Sequence, residues 1–244
     1  MPNRRLISAK HIAVPNAGPR AVETIDRPTT THPPQVIQNL AGYMNAIIRH
    51  SGLPDEPTEQ DHQNFLGRYS GLLKLWLETN FDKLRAITAP HIQFPLPSEQ
   101  YHRNLLWHEP DLCAIYMHVW ARDGRTSPHT HGKQIGLIVP IDIGMQEEGW
   151  EMIGSPWMEG VDRFARLISS GSAQVLFPGK LYTLSRDTCY LHVVRNFNVA
   201  PCRVMEIYVR PQKKIRLFEP TDRPRVFREV LIRKSYEPHA AHDP

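Results

Sequence analysis

The sequence predicts a mainly β fold with helices on its N-terminal side, and this prediction depends on two patterns. Several short segments between residues 112 and 209 have strand composition and are separated by turn residues. Before them, two longer segments carry apolar residues at three- and four-residue steps. Many short strands with turn signals are typical of a sandwich or barrel, whereas the longer steps mark amphipathic helices. We therefore predict a barrel or sandwich that two helices precede.

Composition separates three regions along the chain. Residues 1–34 are rich in proline and lack apolar periodicity, so we expect an arm or a partly disordered tail. Residues 35–220 contain the helices and the strands, and residues 221–244 are expected to form a C-terminal extension. The 244 residues, 41% of them hydrophobic, are enough for one globular domain with a core of ordinary size.

Both predicted helices have boundary signals. Apolar residues recur at helical steps from residue 35 to residue 50, and the segment Ser51-Gly-Leu-Pro54 ends this helix. The second helix is expected to begin after Pro57 with Thr58 as its N-cap, and its apolar face ends before Asn80. We interpret both apolar faces as core contacts.

The strands follow a proline-rich break at residues 90–97, which excludes a continued helix. The predicted strands are residues 112–120, 135–143, 173–177, 181–184, 189–194 and 203–209. Residues 154–172 carry spaced apolar side chains before the Ser169-Ser-Gly171 turn. For these residues we predict either a short helical insertion over the barrel mouth or a loop.

The motif with the clearest chemistry is His129-Thr-His131, together with His192 in a later strand. Residues two apart in a strand point to the same face, so His129 and His131 can face one cavity. With His192, three neutral nitrogens can hold one divalent metal and leave positions open for a substrate and O2. Asn196 is expected to orient the third-ligand segment, because an amide oxygen competes poorly with imidazole for iron. The chain has 13 histidines, and solvent-exposed loop residues are the alternative interpretation.

Five motifs that include these histidines occur in the order of a known family. They are Tyr101-His-Arg-Asn-Leu-Leu106, Val119-Trp120, His129-Thr-His131, Leu191-His192-x3-Asn196 and Glu206-Ile-Tyr208-x2-Pro211. On these residues the chain resembles the cupin superfamily and, more closely, the thiol dioxygenases such as cysteine dioxygenase and 3-mercaptopropionate dioxygenase. The resemblance covers residues 60–215 and implies a cupin jelly-roll barrel with N-terminal helices.

The resemblance also implies that Fe(II) is the cofactor and that His129, His131 and His192 are its ligands. General cupins usually carry a glutamate ligand four or five residues after the second histidine, and here Ile135 and Gly136 occupy those positions. The missing carboxylate agrees with the all-histidine site of thiol dioxygenases. Gly136 also stands where animal cysteine dioxygenases carry the cysteine that crosslinks to the tyrosine, so no crosslink is expected.

Arg103 and Tyr101 are predicted to bind the substrate. A guanidinium matches a carboxylate with two parallel hydrogen bonds, and the arginine of this segment has that role in the cysteine dioxygenases that the chain resembles. If the segment is extended, Tyr101 lies on the same face as Arg103 and can line the same pocket. A surface arginine is the alternative interpretation of Arg103.

Three residues of the last predicted strand, Val204, Glu206 and Tyr208, share one face. The resembling family places serine, histidine and tyrosine here, as a relay that positions the tyrosine hydroxyl above the iron, and only Tyr208 is retained. We predict catalytic roles for Tyr208 and Glu206, where Glu206 holds Tyr208, acts as a base or pairs with a cationic substrate group. The alternative is an ion pair of Glu206 with Arg195 or Arg203.

These features lead to three hypotheses. The first is an Fe(II)-dependent dioxygenase that oxidises the thiol of a small thiol carboxylate to a sulfinic acid, with O2 as the second substrate. The second keeps the iron and replaces the substrate with a non-thiol small acid or amine, because Val204 and Glu206 depart from the family. The third is a cupin that binds a metal or ligand without redox turnover. The oligomeric state stays open.

Composition argues against nucleic-acid and membrane partners. The formal net charge is +4, but lysine and arginine are scattered among 25 acidic residues without a basic stripe interleaved with aromatic residues. No apolar run reaches the roughly 20 residues of a membrane span, and the N-terminus lacks the apolar core of a secretory signal. Cys113, Cys189 and Cys202 show no CxxC spacing, so we expect reduced thiols in a cytoplasmic protein.

Overall fold

Two helices lie on the N-terminal side of the fold, as the periodicity predicts. The computed structural model describes residues 20–131, 134–183, 191–211 and 214–236. Helix α1 (Gln35–Ser51) ends at Gly52, whose φ of 65° is the left-handed conformation that glycine adopts readily. Helix α2 (Glu59–Arg85) begins after Thr58, which forms a capping box at the helix N-terminus. It therefore runs beyond Asn80, the predicted end of its apolar face.

Eleven strands account for most of the remaining described residues. They are β1 (Arg20–Asp26), β2 (Tyr101–Glu109), β3 (Cys113–Trp120), β4 (Ile135–Pro140), β5 (Met145–Glu159), β6 (Asp162–Leu176), β7 (Tyr182–Thr183), β8 (Leu191–Arg195), β9 (Cys202–Val209), β10 (Lys214–Pro220) and β11 (Val226–Tyr236). Each predicted strand overlaps one of these, while residues 184, 189 and 190 lie outside the described residues. The mainly β class with N-terminal helices is thereby confirmed.

The strands form two sheets with a common core. One sheet has the order β2-β3-β9-β4-β7, and the other has the order β1-β11-β6-β5-β8 with β10 paired to β11. Met145, Leu176 and Val194 of the second sheet pack with Tyr116 and Val204 of the first. Two sheets that pack their inner faces together in this way form a jelly-roll barrel.

Strand β3 is buried along its whole length because both of its faces are covered. Ile115 and Met117 belong to a cluster that includes the apolar faces of α1 and α2. Tyr116 and Trp120 face the other sheet. Since side chains alternate along a strand, His118 also points to the interior. The helices therefore cover one face of this sheet, and its other face is free to line a site inside the barrel.

Residues 154–172 form neither a helical insertion nor a loop, so that prediction is wrong. They belong to a long hairpin of β5 and β6. Trp157 pairs with Phe164 across this hairpin, with ring centroids 6.1 Å apart. Gly160 has a φ of 63°, which suits the turn between the strands. The spaced apolar residues therefore reflect cross-strand pairing and not one face of a helix.

Both ends of the described chain contribute strands to the same sheet. Strand β1 lies in the region expected to be an arm, and β11 lies in the expected C-terminal extension. They pair in parallel, from Arg20 opposite Val230 to Asp26 opposite Tyr236. The expectation of an arm or tail is thus wrong for residues 20–26. Parallel pairing joins segments that are remote in sequence, so the residues of one segment do not reveal which strand it pairs with.

Two further expectations concern membrane spans and cysteines. Neither described helix combines the length and the apolar character that crossing a membrane requires. Cys113 and Cys202 are buried and free, as expected for reduced thiols. Cys189 lies outside the described residues.

Candidate metal centre

The three predicted histidines meet inside the barrel. His192 lies on β8, and His129 forms isolated bridges to His192 and to Leu217 of β10. His131 Nε2 lies 2.8 Å from His192 Nε2, and one nitrogen from each of the three rings lies within 4.8 Å of the others. His131 and His192 are buried, and His129 is partly buried. Solvent-exposed loop histidines are therefore the wrong interpretation, and this group can hold a metal ion.

Each ring has a partner on the nitrogen that points away from the group. His129 Nδ1 donates to the Ser127 carbonyl oxygen at 2.9 Å, and His192 Nδ1 donates to Glu147 Oε1 at 2.7 Å. The Gln134 side-chain amide lies 3.0 Å from His131 Nδ1. Metal-binding histidines usually hold their second nitrogen in this way, which orients the ring. The Nε2 atoms are therefore the candidate metal ligands.

The pKa values of these rings favour the form that binds metal. Burial, with the neighbouring His192, lowers the pKa of His129 to about 3. Burial and the other two rings also hold the pKa of His131 well below its ordinary value. Desolvation penalises the imidazolium, so both rings are neutral at physiological pH. Neutral imidazole is the form that donates a lone pair to a metal.

Glu147 orients the third ligand, and the sequence gives no reason to choose it over Glu148. Strand β5 pairs with β8 so that Gly149 lies opposite His192, and this register turns Glu147 inward. Glu147 is buried, and it also accepts a hydrogen bond from Gln174 Nε2. Burial by itself would raise the pKa of Glu147, but the contact with His192 holds it below its ordinary value. The result is an ionised carboxylate behind a metal-facing histidine.

Glu147→Gln is expected to weaken metal binding by about tenfold, since such supporting carboxylates are worth about 10–100-fold in affinity. The glutamine keeps a hydrogen-bond acceptor and loses the charge, so we expect a loss of affinity at the lower end of that range. The dissociation constant for the metal, measured by competition with a chelator, checks this. Glu148→Gln is the matched control, because Glu148 accepts from Trp150 Nε1 and Ser169 Oγ instead. Equal losses in the two variants would contradict the assignment.

The three histidines and all four of the other predicted site residues line one cavity of about 230 Å³. These four are Tyr101, Arg103, Glu206 and Tyr208. The structure adds residues that the sequence did not single out, among them His118 and Lys234. The alternation of β2 places Tyr101 and Arg103 on the same face, as predicted. The volume suits a small molecule.

Arg103 lines this cavity, and its side chain is partly buried, with 24% of it exposed. Its guanidinium lies over the Tyr116 ring at 4.5 Å, and its Nη2 lies 3.5 Å from Asp26 Oδ2. Its Nε donates to His118 Nε2 at 3.4 Å. Tyr101 is next to it on the same face. The alternative of a surface arginine is therefore wrong.

Glu206 pairs with His118 and not with the arginines of the alternative interpretation. His118 Nδ1 lies 3.2 Å from Glu206 Oε1. Arg203 instead donates from Nε to Asp142 Oδ2 at 2.8 Å, and Arg195 is exposed. Residues 203 and 206 differ by an odd number, so they point to opposite faces of β9. The expected pairing of Glu206 with Arg195 or Arg203 is therefore wrong.

Tyr208 connects Glu206 to the histidine group. Its hydroxyl donates to Glu206 Oε2, and its ring stacks on that of His131 with centroids 5.6 Å apart. Burial by itself would raise the pKa of Glu206, but His118 and the Tyr208 hydroxyl lower it to about 2. Burial and the Glu206 charge hold the pKa of Tyr208 well above its ordinary value. The pair is thus a carboxylate that accepts from a neutral phenol.

Asn196 supports the histidine segments without being a ligand candidate. Its Nδ2 donates to the carbonyl oxygens of Ala121 and Ala200, both at 2.9 Å, and its backbone N donates to Gly124 O at 2.8 Å. These bonds tie the end of β8 to the turn before His129. The predicted orienting role of Asn196 agrees with this geometry. Gly136 lies opposite Tyr208 in the pairing of β4 with β9.

Comparisons with known proteins give weak similarities of fold. No family model matches the chain, and no curated protein matches it. A double-stranded β-helix protein from Klebsiella pneumoniae is 12% identical, with a TM-score of 0.39 over 56% of this chain and 98% of that one. A sugar phosphate isomerase of the cupin superfamily from Silicibacter pomeroyi is 11% identical, with a TM-score of 0.36 and coverage of 58% and 82%. The cupin domain of Cnp3 from Schizosaccharomyces pombe is 7% identical, with a TM-score of 0.37 and coverage of 51% and 72%.

Proposed function

We propose that this protein is an Fe(II)-dependent dioxygenase that oxidises the thiol of a small thiol carboxylate to a sulfinic acid. The observation that carries the proposal is one cavity that contains both three converging histidines and the guanidinium of Arg103. A thiol and O2 combine so that both oxygen atoms end on sulfur, and no further reductant is needed. Binding the carboxylate and the reactive group in one small cavity supplies the orientation that such a reaction requires.

The donor set supports iron as the metal. In the described parts of the chain, the metal-binding group consists of three histidines without a carboxylate. Three neutral nitrogens leave coordination positions for a thiolate and for O2. Fe(II), when bound, supplies the redox chemistry and lowers the pKa of the substrate thiol.

Arg103 and Tyr101 are proposed to bind the substrate beside the metal ligands. The guanidinium can present two parallel N–H donors to a carboxylate, and the Tyr116 ring beneath it helps to fix its plane. Tyr101 stacks on Trp120 with ring centroids 4.7 Å apart, so its ring is held in place along the same wall. The substrate is therefore held at one end by charge, while its thiol lies at the histidines.

Tyr208 and Glu206 are proposed as the catalytic pair. The Tyr208 hydroxyl donates to Glu206, which leaves the lone pairs of the phenol oxygen to accept a hydrogen bond from the substrate thiol. Because the pKa of Glu206 is about 2, its carboxylate stays ionised and holds the Tyr208 hydroxyl toward the substrate thiol, while the thiol proton passes to solvent. The contact with His118 keeps Glu206 in place for this step.

A second candidate, an iron oxygenase that acts on a sulfur-free small acid, is favoured by the charge of Glu206. This carboxylate is buried in the cavity, where a fixed negative charge disfavours the formation of a nearby thiolate. Val204, next to it on the same face, is apolar and has no proton to relay. A sulfur-free acid would not have to lose a thiol proton at this position.

The test is O2 uptake by the iron-loaded protein with a panel of small thiols and their sulfur-free analogues. We expect O2 consumption with a thiol carboxylate and a product that has gained two oxygen atoms by mass spectrometry. Consumption with sulfur-free acids alone would favour the second candidate. No consumption with any compound, in protein shown to contain iron, would remove both oxygenase proposals and favour a metal-binding protein without redox turnover.

A further inference from the structure

A cluster of three charged side chains lies beside the histidines, with two of its members in the cavity lining, and strands from both ends of the described chain contribute to it. Asp26 lies on β1, Arg103 on β2 and Lys234 on β11. Arg103 Nη2 and Lys234 Nζ lie 3.5 Å and 3.8 Å, respectively, from the same oxygen, Asp26 Oδ2. The Tyr116 hydroxyl donates to this oxygen at 2.7 Å. One carboxylate oxygen therefore faces two cations and one hydroxyl.

Neither cation forms a short hydrogen bond with Asp26. Charge-assisted N–H···O bonds are about 2.7–2.9 Å long, and both cations are farther away than this. Tyr116 makes the short contact instead. Arg103 and Lys234 both line the cavity, so a ligand that enters it can meet both cations.

The cluster carries more positive than negative charge. Lys234 is 8% exposed, and a buried cation is costly unless a negative charge compensates it. Asp26 balances one of the two cations. Among the described residues that line the cavity, Glu206 is the one carboxylate, and it already contacts His118 and Tyr208. A carboxylate on the ligand would place a further negative charge directly beside Arg103 and Lys234, which form their ion pairs among the described residues with Asp26 and not with Glu206.

We propose that Arg103 and Lys234 together form a carboxylate site, in which Lys234 is a further substrate-binding residue. This inference rests on the proposed function for the identity of the ligand as the substrate, and it deepens that function. The substrate is a small acid whose carboxylate lies between β2 and β11 while its reactive group lies at the histidines. The cavity volume of about 230 Å³ limits the carbon skeleton to a few atoms.

The charge of Lys234 gives this site a pH dependence. Burial, reinforced by Arg103, lowers the pKa of Lys234 to about 7, although Asp26 and Glu206 oppose this shift. Lys234 is charged below this pKa and neutral above it, so carboxylate binding is expected to weaken as the pH rises through about 7. The charged and titratable groups that face Lys234 from β1, β2, β3 and β9 are Asp26, Arg103, Tyr116, His118 and Glu206.

The test is the binding of propionate, a sulfur-free carboxylate, to the metal-loaded protein by titration calorimetry, compared with neutral propionamide. Propionate is expected to bind about tenfold more tightly, because hydrogen bonds to charged groups are the stronger ones. Lys234→Met should lower the propionate affinity by about tenfold. Lys234→Arg should retain the affinity and remove the loss of binding above pH 7, since arginine stays charged.

Arg233→Met is the matched control, because Arg233 is the neighbouring residue of β11 and its side chain is 50% exposed on the other face. Equal binding of propionate and propionamide would overturn the carboxylate site, as would wild-type propionate binding by Lys234→Met. If Lys234→Met does not fold, an unchanged pH dependence in Lys234→Arg would overturn it. A protein that binds propionate through Lys234 and consumes no O2 with any thiol would retain this site and lose the oxygenase proposal.

Discussion

Replacing His131 with alanine is expected to remove the bound metal and, with it, the uptake of O2. The wild-type protein should contain about one metal ion per chain, because the three histidines form one binding group. Loss of a direct ligand should cost more than the about 100-fold in affinity that the loss of a supporting group can cost. Elemental analysis of purified wild-type and variant protein checks this result.

His50→Ala is the control for the His131 variant. His50 is an exposed residue in the last turn of α1, so its loss should leave the metal content unchanged. A circular dichroism spectrum should show that both variants retain the wild-type fold. Metal content that is the same in His131→Ala as in the wild-type protein would contradict the site. Zinc in place of iron would favour the hypothesis of a metal-binding protein without redox turnover.

Replacing Arg103 with methionine is expected to lower kcat/KM for a thiol carboxylate by about 100-fold. The variant loses two charge-assisted hydrogen bonds of roughly 1.5–3 kcal/mol each, and about 1.4 kcal/mol corresponds to a factor of ten. The fold should tolerate the change, since Asp26 keeps its contacts with Tyr116 and Lys234. Steady-state O2 uptake over a range of substrate concentrations measures the effect.

Two controls separate carboxylate binding from a general loss of activity. A neutral thiol of the same length should lose far less activity in Arg103→Met, because it makes no ion pair with the guanidinium. Arg122→Met should behave as the wild-type protein, since the Arg122 side chain is 66% exposed. A kcat/KM for the thiol carboxylate within about threefold of the wild-type value would remove Arg103 from substrate binding.

The helices and several strands could be predicted because their signals are local. Apolar residues of α1 and α2 recur within three or four positions, so each helix shows its buried face in its own sequence. Strands β3 and β9 are apolar runs bounded by turn residues, which is a local pattern as well. The β5–β6 hairpin was missed because much of its length is exposed and its apolar residues pair across the turn.

Some residues of the candidate site could be predicted from strand geometry, others only from the family resemblance, and one could not be predicted. His129 and His131 are two residues apart on a strand-like segment, so their common face follows from strand geometry alone. Arg103 and Tyr208 were assigned through the resemblance to thiol dioxygenases, and their roles stay proposals. Glu147 could not be chosen from its sequence context, because Glu148 has the same residue type and only the register with β8 distinguishes them.

By itself, the sequence determined the mainly β class, the two N-terminal helices and the common face of His129 and His131, because each depends on spacing within single segments. Only the tertiary structure decided that Glu206 contacts His118 and that Lys234 lines the cavity with Arg103, where both lie near Asp26. These contacts join strands that are remote in sequence. The order and register of the strands create them, and no local pattern in either strand encodes its partner.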